Sequence, residues 1–222
     1  AVRQIDSSIA QGVGRLQAHA PPPRLAPAQP QAAAFGSRPL CHEDPTRLDG
    51  IGDCYHWSGM AVREGHGRIQ QARHLIESDI FAPCAAAALY RRSALVAAGG
   101  FDESYFCYME DVDLGFRLRL AGHTARFVPT AVVRHVGSAT SGGQHSDFSV
   151  FHGHRNMVWT FVKNMPTPLL WFLLPWHLAA NLAALVIFSA RGQGNTIVRA
   201  NWHALPGPGH AWRQPRRIQH QR

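Results

Sequence analysis

Three carboxylates lie within four positions of this chain, in the segment Glu110-Asp111-Val112-Asp113. Ionised carboxylates placed this closely repel one another, a property that suits general-base chemistry or the binding of a cation. The alternative is a helix with acids in its first turn, where they interact favourably with the helix dipole. That alternative explains one or two acids. It does not explain the aromatic, glycine-rich segment that precedes them, so the pattern favours a functional site.

The elements that must position these acids follow from periodicity and from helix-ending residues. Apolar residues recur at helical spacing from 114 to 121, and Gly122 predicts the end of that helix. A shorter helix is predicted to begin at Arg91-Arg92 and to end at Gly99-Gly100. Its two arginines are either solvated or contacts of a nucleotide diphosphate.

Strands are predicted on both sides of these helices. Residues 32–40 favour a short strand, and residues 80–90 favour a buried strand whose four alanines let another backbone or a ligand approach closely. Residues 125–129 and 131–135 are predicted as two β segments separated by Pro129.

The glycine-rich stretch 49–67 has two interpretations. It is either a simple hairpin or a loop beside a sugar or acceptor, with Asp53, His56 and His66 as candidate contacts. A glycine-rich phosphate-binding motif is not present in the sequence.

The ends of the chain differ in character from its middle. Residues 1–20 have helical periodicity and are followed by a proline-rich segment that predicts a loop or poor order. From Lys163 to Arg191 no formally charged residue occurs, a length sufficient to span a bilayer, which takes about 20 residues. Pro175, His177 and Asn181 favour an interfacial or re-entrant helical pair instead, with the basic, Trp-containing end of the chain on an anionic leaflet.

Composition limits the possible partners. The net charge of +8 permits nucleic acid, anionic lipid or phosphorylated substrates. The cations do not fall in a recognised nucleic-acid-binding motif, and we therefore expect no nucleic acid partner. The four cysteines have no metal-ligand spacing and indicate reduced thiols.

The segment from Cys84 to Gly142 resembles the C-terminal half of a family 2 glycosyltransferase catalytic domain, most closely the rhamnosyltransferase-like enzymes of bacterial surface-polysaccharide assembly. The resemblance rests on parts in a fixed order: a small-residue strand, an Arg-Arg helix, Gly-Gly-Phe-Asp-Glu, Glu-Asp-x-Asp-Leu, Val-Pro and a late His. It extends from about residue 40 to about residue 165, where Arg155-Asn156 and Lys163-Asn164 resemble a further family stretch.

The resemblance implies an α/β fold: a partial GT-A (nucleotide-diphospho-sugar transferase, Rossmann-like) fold without its N-terminal half, followed by hydrophobic helices. The expected segments are 1–39, the catalytic half 40–165 and a membrane-associating tail 166–222. It implies inverting sugar transfer, with rhamnose as the candidate sugar, from a nucleotide-sugar donor to a lipid-linked or polysaccharide acceptor. The implied place is the cytoplasmic face of the bacterial inner membrane.

The resemblance also implies roles for individual residues. Asp111 matches the catalytic base, Glu110 a residue that positions the acceptor or the base, and Asp113 a residue that steadies the loop or helix start. His135 matches a ligand of a divalent cation, Mn²⁺ or Mg²⁺. The remaining candidates bind donor or acceptor and are Asp53, His56, Arg91, Arg92 and Arg155.

One departure from the family pattern affects activity. The nucleotide-binding half with its Asp-x-Asp motif has no counterpart here, so the chain alone is expected to bind donor poorly and to be inactive. The alternatives are a membrane-bound interaction protein without catalysis and, less favoured, a basic nucleic-acid-binding module.

Overall fold

The computed structural model describes residues 17–18, 29–137, 142 and 145–205. Most of the predicted N-terminal helix and proline-rich segment, most of the loop after Gly137, and the basic end of the chain lie outside these residues. The described strands are, in chain order, β1 (Gln17–Ala18), β2 (Ala32–Cys41), β3 (Asp53–Tyr55), β4 (Ala61–Arg63), β5 (Ser78–Ile80), β6 (Ala88–Tyr90) and β7 (Thr124–His135). The described α-helices are α1 (Arg92–Ala97), α2 (Glu110–Leu120), α3 (Asp147–Asn164), α4 (Thr167–Ala190) and α5 (Gly194–Ala204).

The described residues divide into two compact units. The first takes them from Ala1–Cys54, Arg63–Gly100 and Leu114–Ala139, and the second from Tyr55–Val62, Phe101–Asp113 and Thr140–Arg222. The three-segment division expected from sequence stays a prediction.

The first unit contains a five-stranded mixed sheet. Its strand order is β1-β7-β2-β6, with β5 also paired to β7. β2 and β7 run parallel, whereas β1, β5 and β6 join antiparallel. Ala32, Phe35 and Val128 are buried between these strands, with Leu89 and Ala131 packed against them. The predicted strand at 32–40 is therefore confirmed, and the mixed α/β fold with it, whereas β1 falls where the N-terminal helix was predicted.

The predicted interruption at Pro129 is wrong, because β7 continues through it. Gly36 pairs with Phe127 and Arg38 with Val132, so Ser37 alone lies opposite residues 128–131. Proline has no backbone N–H, but inside this bulge no ladder hydrogen bond is required of it. The strand therefore continues past Pro129 to His135.

The predicted strand at 80–90 is also wrong in its middle. β5 ends at Ile80, residues Ala85–Ala87 form a 3₁₀ turn, and β6 begins at Ala88. The close backbone approach expected at the four alanines occurs instead at the preceding residues Ala82 and Pro83. A Cβ added to Gly115 of α2 would lie 2.5 Å from Ala82 Cβ, and one added to Gly36 would lie 3.0 Å from Pro83 Cβ.

The helices that flank the acids are confirmed. α1 ends before Gly99 and Gly100, which both have positive φ. α2 ends before Gly122, whose φ is 86° and whose N–H bonds to Arg119 O. Glycine adopts this left-handed conformation without the steric cost that a Cβ imposes. The glycine-rich stretch forms a hairpin of β3 and β4, as one of its two interpretations predicted.

In the second unit, α3 contacts α5, and α5 contacts α4. The predicted helical pair is wrong within residues 167–190, because α4 is one helix that continues through Pro175. Among the described residues, it is the one helix long and apolar enough to cross a membrane by length and composition. One face of it packs inside the unit, where His177 and Ala184 are buried. The rest carries exposed apolar side chains, including Trp171, Phe172 and Leu182.

Candidate active site

The acids at the start of α2 follow a strained segment. Phe106, Tyr108 and Met109 have φ values of 65°, 64° and 69°, a left-handed conformation that non-glycine residues rarely adopt. Each such residue costs on the order of 1–3 kcal/mol and persists only where the surroundings impose it. Residues of this kind concentrate at functional sites, and here they directly precede Glu110 and Asp111.

Asn156 on α3 holds the backbone of this segment. Its Nδ2 lies 3.0, 2.7 and 2.8 Å from the carbonyl oxygens of Tyr105, Cys107 and Tyr108, so its two N–H groups are shared among three acceptors. The predicted contact residue Arg155 acts beside it, donating from Nη2 to Tyr105 O at 3.0 Å and from Nε to Asn156 Oδ1 at 2.9 Å. Burial lowers the pKa of Arg155. These bonds satisfy carbonyls that regular secondary structure would otherwise pair.

Asp113 lies in the same unit and is fully buried. Its Oδ1 accepts from Lys163 Nζ at 2.9 Å, Asn164 Nδ2 at 2.8 Å and Tyr105 Oη at 3.2 Å. Lys163 also donates to Asp102 Oδ2 at 2.6 Å. The role expected of Asp113, steadying the helix start, stays a prediction.

The two remaining acids differ in exposure. Asp111 is buried, with 7% of its surface exposed, and its Oδ1 accepts from the N–H of Val112 at 2.9 Å. Glu110 is half-buried at the first position of α2. The helix dipole favours negative charge at both positions.

A second cluster, in the first unit, surrounds Asp49. His135 Nδ1 lies 2.7 Å from Asp49 Oδ2, Arg63 Nη1 lies 3.4 Å from the same oxygen, and His66 Nδ1 lies 3.4 Å from Asp49 Oδ1. Burial raises the pKa of Asp49, but the hydrogen bonds of His135 and His66 and the charge of Arg63 outweigh it and hold that pKa well below its usual range. The hydrogen bond to Asp49 raises the pKa of His66.

The other predicted contacts are dispersed. Asp53 is buried, with Arg63 Nε at 3.9 Å from its Oδ1. Arg91 donates to the carbonyls of Ala32 and Gln29, at 3.2 and 3.3 Å, and so holds the start of β2. Arg92 is exposed at the first position of α1.

His56, the last of these contacts, lies exposed at the tip of the hairpin. Its Nδ1 lies 2.9 Å from Ser58 Oγ and 3.2 Å from Ser58 N. These bonds order the hairpin turn locally and leave a ligand-contact role for His56 as a prediction.

A divalent cation is held by several ligands that lie close together. In the part of the chain that the structure describes, no three His, Cys, Asp or Glu residues lie together as ligands would. His135 has the arrangement expected of a single ligand, because Asp49 fixes one ring nitrogen and leaves Nε2 on the other side of the ring. One ligand does not make a site, so no reaction step is assigned to a cation, and the divalent cation stays a prediction.

Several residues in these clusters were missed from sequence. The sequence indicates only a turn at Asp49, and it places Asp102 only within the aromatic, glycine-rich segment that precedes the acids. A signal did exist for α3, where polar residues recur at 156, 160, 163 and 164, the spacing of one helical face. All four are at most 4% exposed. A buried polar face of this kind predicts a hydrogen-bonding partner.

Comparison with known proteins now identifies the class. Residues 22–151 match the family described as glycosyltransferase like family 2. This chain therefore belongs to glycosyltransferase family 2, and its mixed sheet and helices are consistent with a partial GT-A fold.

Two curated relatives are similar to parts of it. The N-acetylglucosaminyl-diphospho-decaprenol L-rhamnosyltransferase of Mycobacterium tuberculosis is 41% identical over 97 residues, which cover 43% of this chain and 30% of the relative. Rhamnosyltransferase WbbL of Escherichia coli K12 is 51% identical over 41 residues, 18% of this chain and 16% of that protein. The chain thus spans less than a third of the length of these curated relatives.

Proposed function

We propose that this chain takes part in the transfer of a sugar, rhamnose, from a nucleotide-sugar donor to a lipid-linked or polysaccharide acceptor, with inversion and with Asp111 as general base. The observation that carries the proposal is the construction at the start of α2. Three left-handed residues precede Asp111, and a buried polar face of α3 bonds to the segment that contains them. Strain and polar burial of this extent are costly for a helix start with no further task.

In the proposed reaction, the oxygen of the acceptor hydroxyl attacks the anomeric carbon while a carboxylate oxygen of Asp111 accepts the hydroxyl proton. Glu110, half-buried beside it, positions the acceptor or the base. Asp113 holds the helix start through Lys163, Asn164 and Tyr105. The diphosphate leaves with the electron pair of the broken glycosidic bond.

The proposed ligand contacts include two neighbouring arginines. Arg92 is exposed and available to a diphosphate, whereas Arg91 already donates to two carbonyls. Arg155, Asp53 and His56 stay proposed contacts of donor or acceptor. A divalent cation would supply charge neutralisation of the leaving diphosphate, and His135 is the described residue proposed to bind it.

The test is a transfer assay with Asp111→Asn. The assay uses the 222-residue chain and a fusion that supplies the remaining length of a rhamnosyltransferase relative. We expect turnover to fall by about 10²-fold or more, because general-base catalysis is typically worth that much. Glu103→Gln is the matched control, since Glu103 is an exposed acid in the short 3₁₀ turn before the left-handed residues. Turnover of Asp111→Asn close to that of the control would remove Asp111 from the role.

We propose further that the second unit binds an anionic membrane surface at the cytoplasmic face of the inner membrane, as a peripheral protein. Support comes from tryptophans exposed on this unit, since tryptophan is enriched at membrane interfaces. Trp171 and Trp202 are 67% and 71% exposed. Trp57 and Trp176 are 48% and 54% exposed and pack edge to face, with centroids 5.2 Å apart.

The packing of α4 favours a position in the plane of the interface over a span. His177 near its middle stacks on Phe161 of α3, and Phe188 near its end packs on His154 of α3. If α4 crossed the bilayer, α3 and its buried ions would have to enter the hydrocarbon with it, which is costly. An interfacial helix buries only its apolar face.

Vesicle flotation tests this proposal with the intact chain. Replacing Trp171 and Phe172 by serine should reduce partitioning onto anionic vesicles by at least about tenfold, since burying one large apolar side chain is worth roughly 1.5–3 kcal/mol. Ile76→Ser is the control, because Ile76 is 65% exposed in the first unit. Equal partitioning of both variants would refute the assignment of this surface. Vesicle binding without sugar transfer in either assay format would support the non-catalytic alternative.

A further inference from the structure

The chain has 22 lysines and arginines, of which a single one, Lys163, is a lysine. An ammonium and a guanidinium differ in shape and in the arrangement of their donors, so arginine would not reproduce the contacts of this lysine. Lys163 is also one of the most buried charged residues described, with 2% of its side chain exposed.

The ammonium of Lys163 joins two acids that enclose the strained segment. Its Nζ lies 2.6 Å from Asp102 Oδ2 and 2.9 Å from Asp113 Oδ1, and it lies 5.2 Å from the centroid of the Tyr105 ring. Asp102 precedes the left-handed residues and Asp113 follows them. A guanidinium is a wide planar fork, whereas an ammonium is a compact point charge with three donors, which matches two carboxylates and a ring face.

Each of the two acids has further donors, but only Lys163 joins one acid to the other. Asp102 Oδ1 accepts from the N–H and the hydroxyl of Ser104, at 3.0 and 2.6 Å. Asp113 Oδ1 also accepts from Asn164 and Tyr105. Removing the ammonium would leave the buried Asp113 and the half-buried Asp102 without the cation between them, and their mutual repulsion would loosen the segment they enclose.

We propose that Lys163 is a positioning residue that sets the place of Glu110 and Asp111 by fixing both ends of residues 103–112. It acts through Asp102 and Asp113 and does not touch the reacting atoms. Its catalytic consequence rests on the function proposed above, whereas its effect on the segment does not. The two can therefore be tested separately.

Chymotrypsin reports on the segment, because Phe106 is 75% exposed and lies between the two acids. In Lys163→Met we expect cleavage after Phe106 to accelerate by at least about tenfold, since local opening exposes the bond. Lys163→Arg should be intermediate. Arg191→Met, which removes an exposed cation at the end of α4, should cleave like the wild type.

A variant with uncharged residues at all three positions tests the proposal even if Lys163→Met fails to fold. The triple variant Asp102→Asn, Lys163→Met, Asp113→Asn leaves no buried charge unpaired among these three positions and should fold by circular dichroism. It should still be cleaved faster after Phe106 than the wild type. A folded triple variant cleaved at the wild-type rate would overturn the proposal.

The single lysine permits a second readout. A lysine-directed acylating reagent should modify Lys163 at least about tenfold more slowly in the native chain than in urea, because reaction requires the cluster to open. Rapid native labelling would show that the ammonium is not held between the acids.

In the fusion used for the transfer assay, Lys163→Arg should lower kcat by at least about tenfold with KM for the donor within about twofold, as expected of misplaced catalytic groups. An unchanged kcat would overturn the positioning role. If the wild-type fusion transferred no sugar, the proposed function would fail, while the cleavage and labelling results would still decide the role of Lys163.

Discussion

The ring of His177 lies almost parallel to the ring of Phe161, with centroids 4.0 Å apart and an interplanar angle of 7°. The His177 Nδ1 atom lies 2.8 Å from the carbonyl oxygen of Ser58, at the tip of the hairpin. The adjacent Gly59 has a φ of 84°, and a Cβ added to it would meet His177 Nδ1 and lie 2.8 Å from Phe161 Cδ2. The hairpin tip therefore fits onto this ring pair only with glycine.

Gly59→Ala should accordingly destabilise the protein by more than backbone strain alone. Gly67→Ala is the control, because Gly67 also has a positive φ, 70°, but nothing within 4 Å of an added Cβ. We expect the control to lose about 1 kcal/mol and Gly59→Ala to lose at least roughly 1 kcal/mol more, from overpacking. Urea unfolding of both variants measures the difference. Equal losses would contradict the contact with the rings.

Two helical glycines should respond to alanine with opposite signs. Gly153→Ala on α3 should stabilise the protein by roughly 0.5–1 kcal/mol, because an added Cβ meets nothing within 4 Å and alanine favours helix. Gly115→Ala on α2 should destabilise it, because the added Cβ would lie 2.5 Å from Ala82 Cβ. Thermal unfolding gives both signs. Stabilisation by Gly115→Ala would show that α2 and the Ala82 backbone are not in close contact.

Asp102 should contribute to acid sensitivity. Burial raises its pKa, but the hydrogen bonds from Lys163 and Ser104 outweigh burial, so the pKa of Asp102 is lowered. A lowered folded-state pKa means that the contribution is fully present above the unfolded-state value, about 3.9, and is lost as the pH falls through the folded-state value. The unfolding free energy of Asp102→Asn should thus decrease less below about pH 4 than that of the wild type. Parallel pH profiles for Asp102→Asn and the wild type, with Glu103→Gln as control, would contradict this assignment.

Asp49→Asn should destabilise the first unit by about 1.5–3 kcal/mol, the usual worth of hydrogen bonds to a charged group. The pKa of His66, which the hydrogen bond to Asp49 raises, should fall in this variant. Histidine ring signals followed by NMR across the titration measure that shift. An unchanged His66 titration would mean that the contact with Asp49 is not formed in solution.

Sequence reasoning located the acid-bearing turn because its signals are local. The acids of α2, the helical period after Leu114 and the stop at Gly122 all lie within one short segment. It failed where the deciding partner is distant in sequence. The continuity of β7 through Pro129 depends on a bulge opposite Ser37 of β2, and no property of residues 124–135 alone reveals that register.

The same reason explains the missed residues of the site. Asp49 and His135 are 86 positions apart, and Asp102 and Lys163 are 61 positions apart. Considered locally, Asp49 is an ordinary turn residue and Lys163 an ordinary helix residue. Their partners become apparent only when the fold brings the distant segments together. The family resemblance supplied the ordered motif and with it the roles of Glu110, Asp111 and Asp113, which stay predictions.

Because the chain has a single, buried lysine, proteolysis after that lysine can report local opening of the native protein. A protease that cleaves only after lysine has one target peptide bond in the whole sequence, between Lys163 and Asn164. Both residues are at most 4% exposed, at the last turn of α3. Cleavage at this bond therefore requires the end of that helix to detach. When reclosing is fast, the ratio of the native cleavage rate to that of the unfolded chain gives the free energy of this opening.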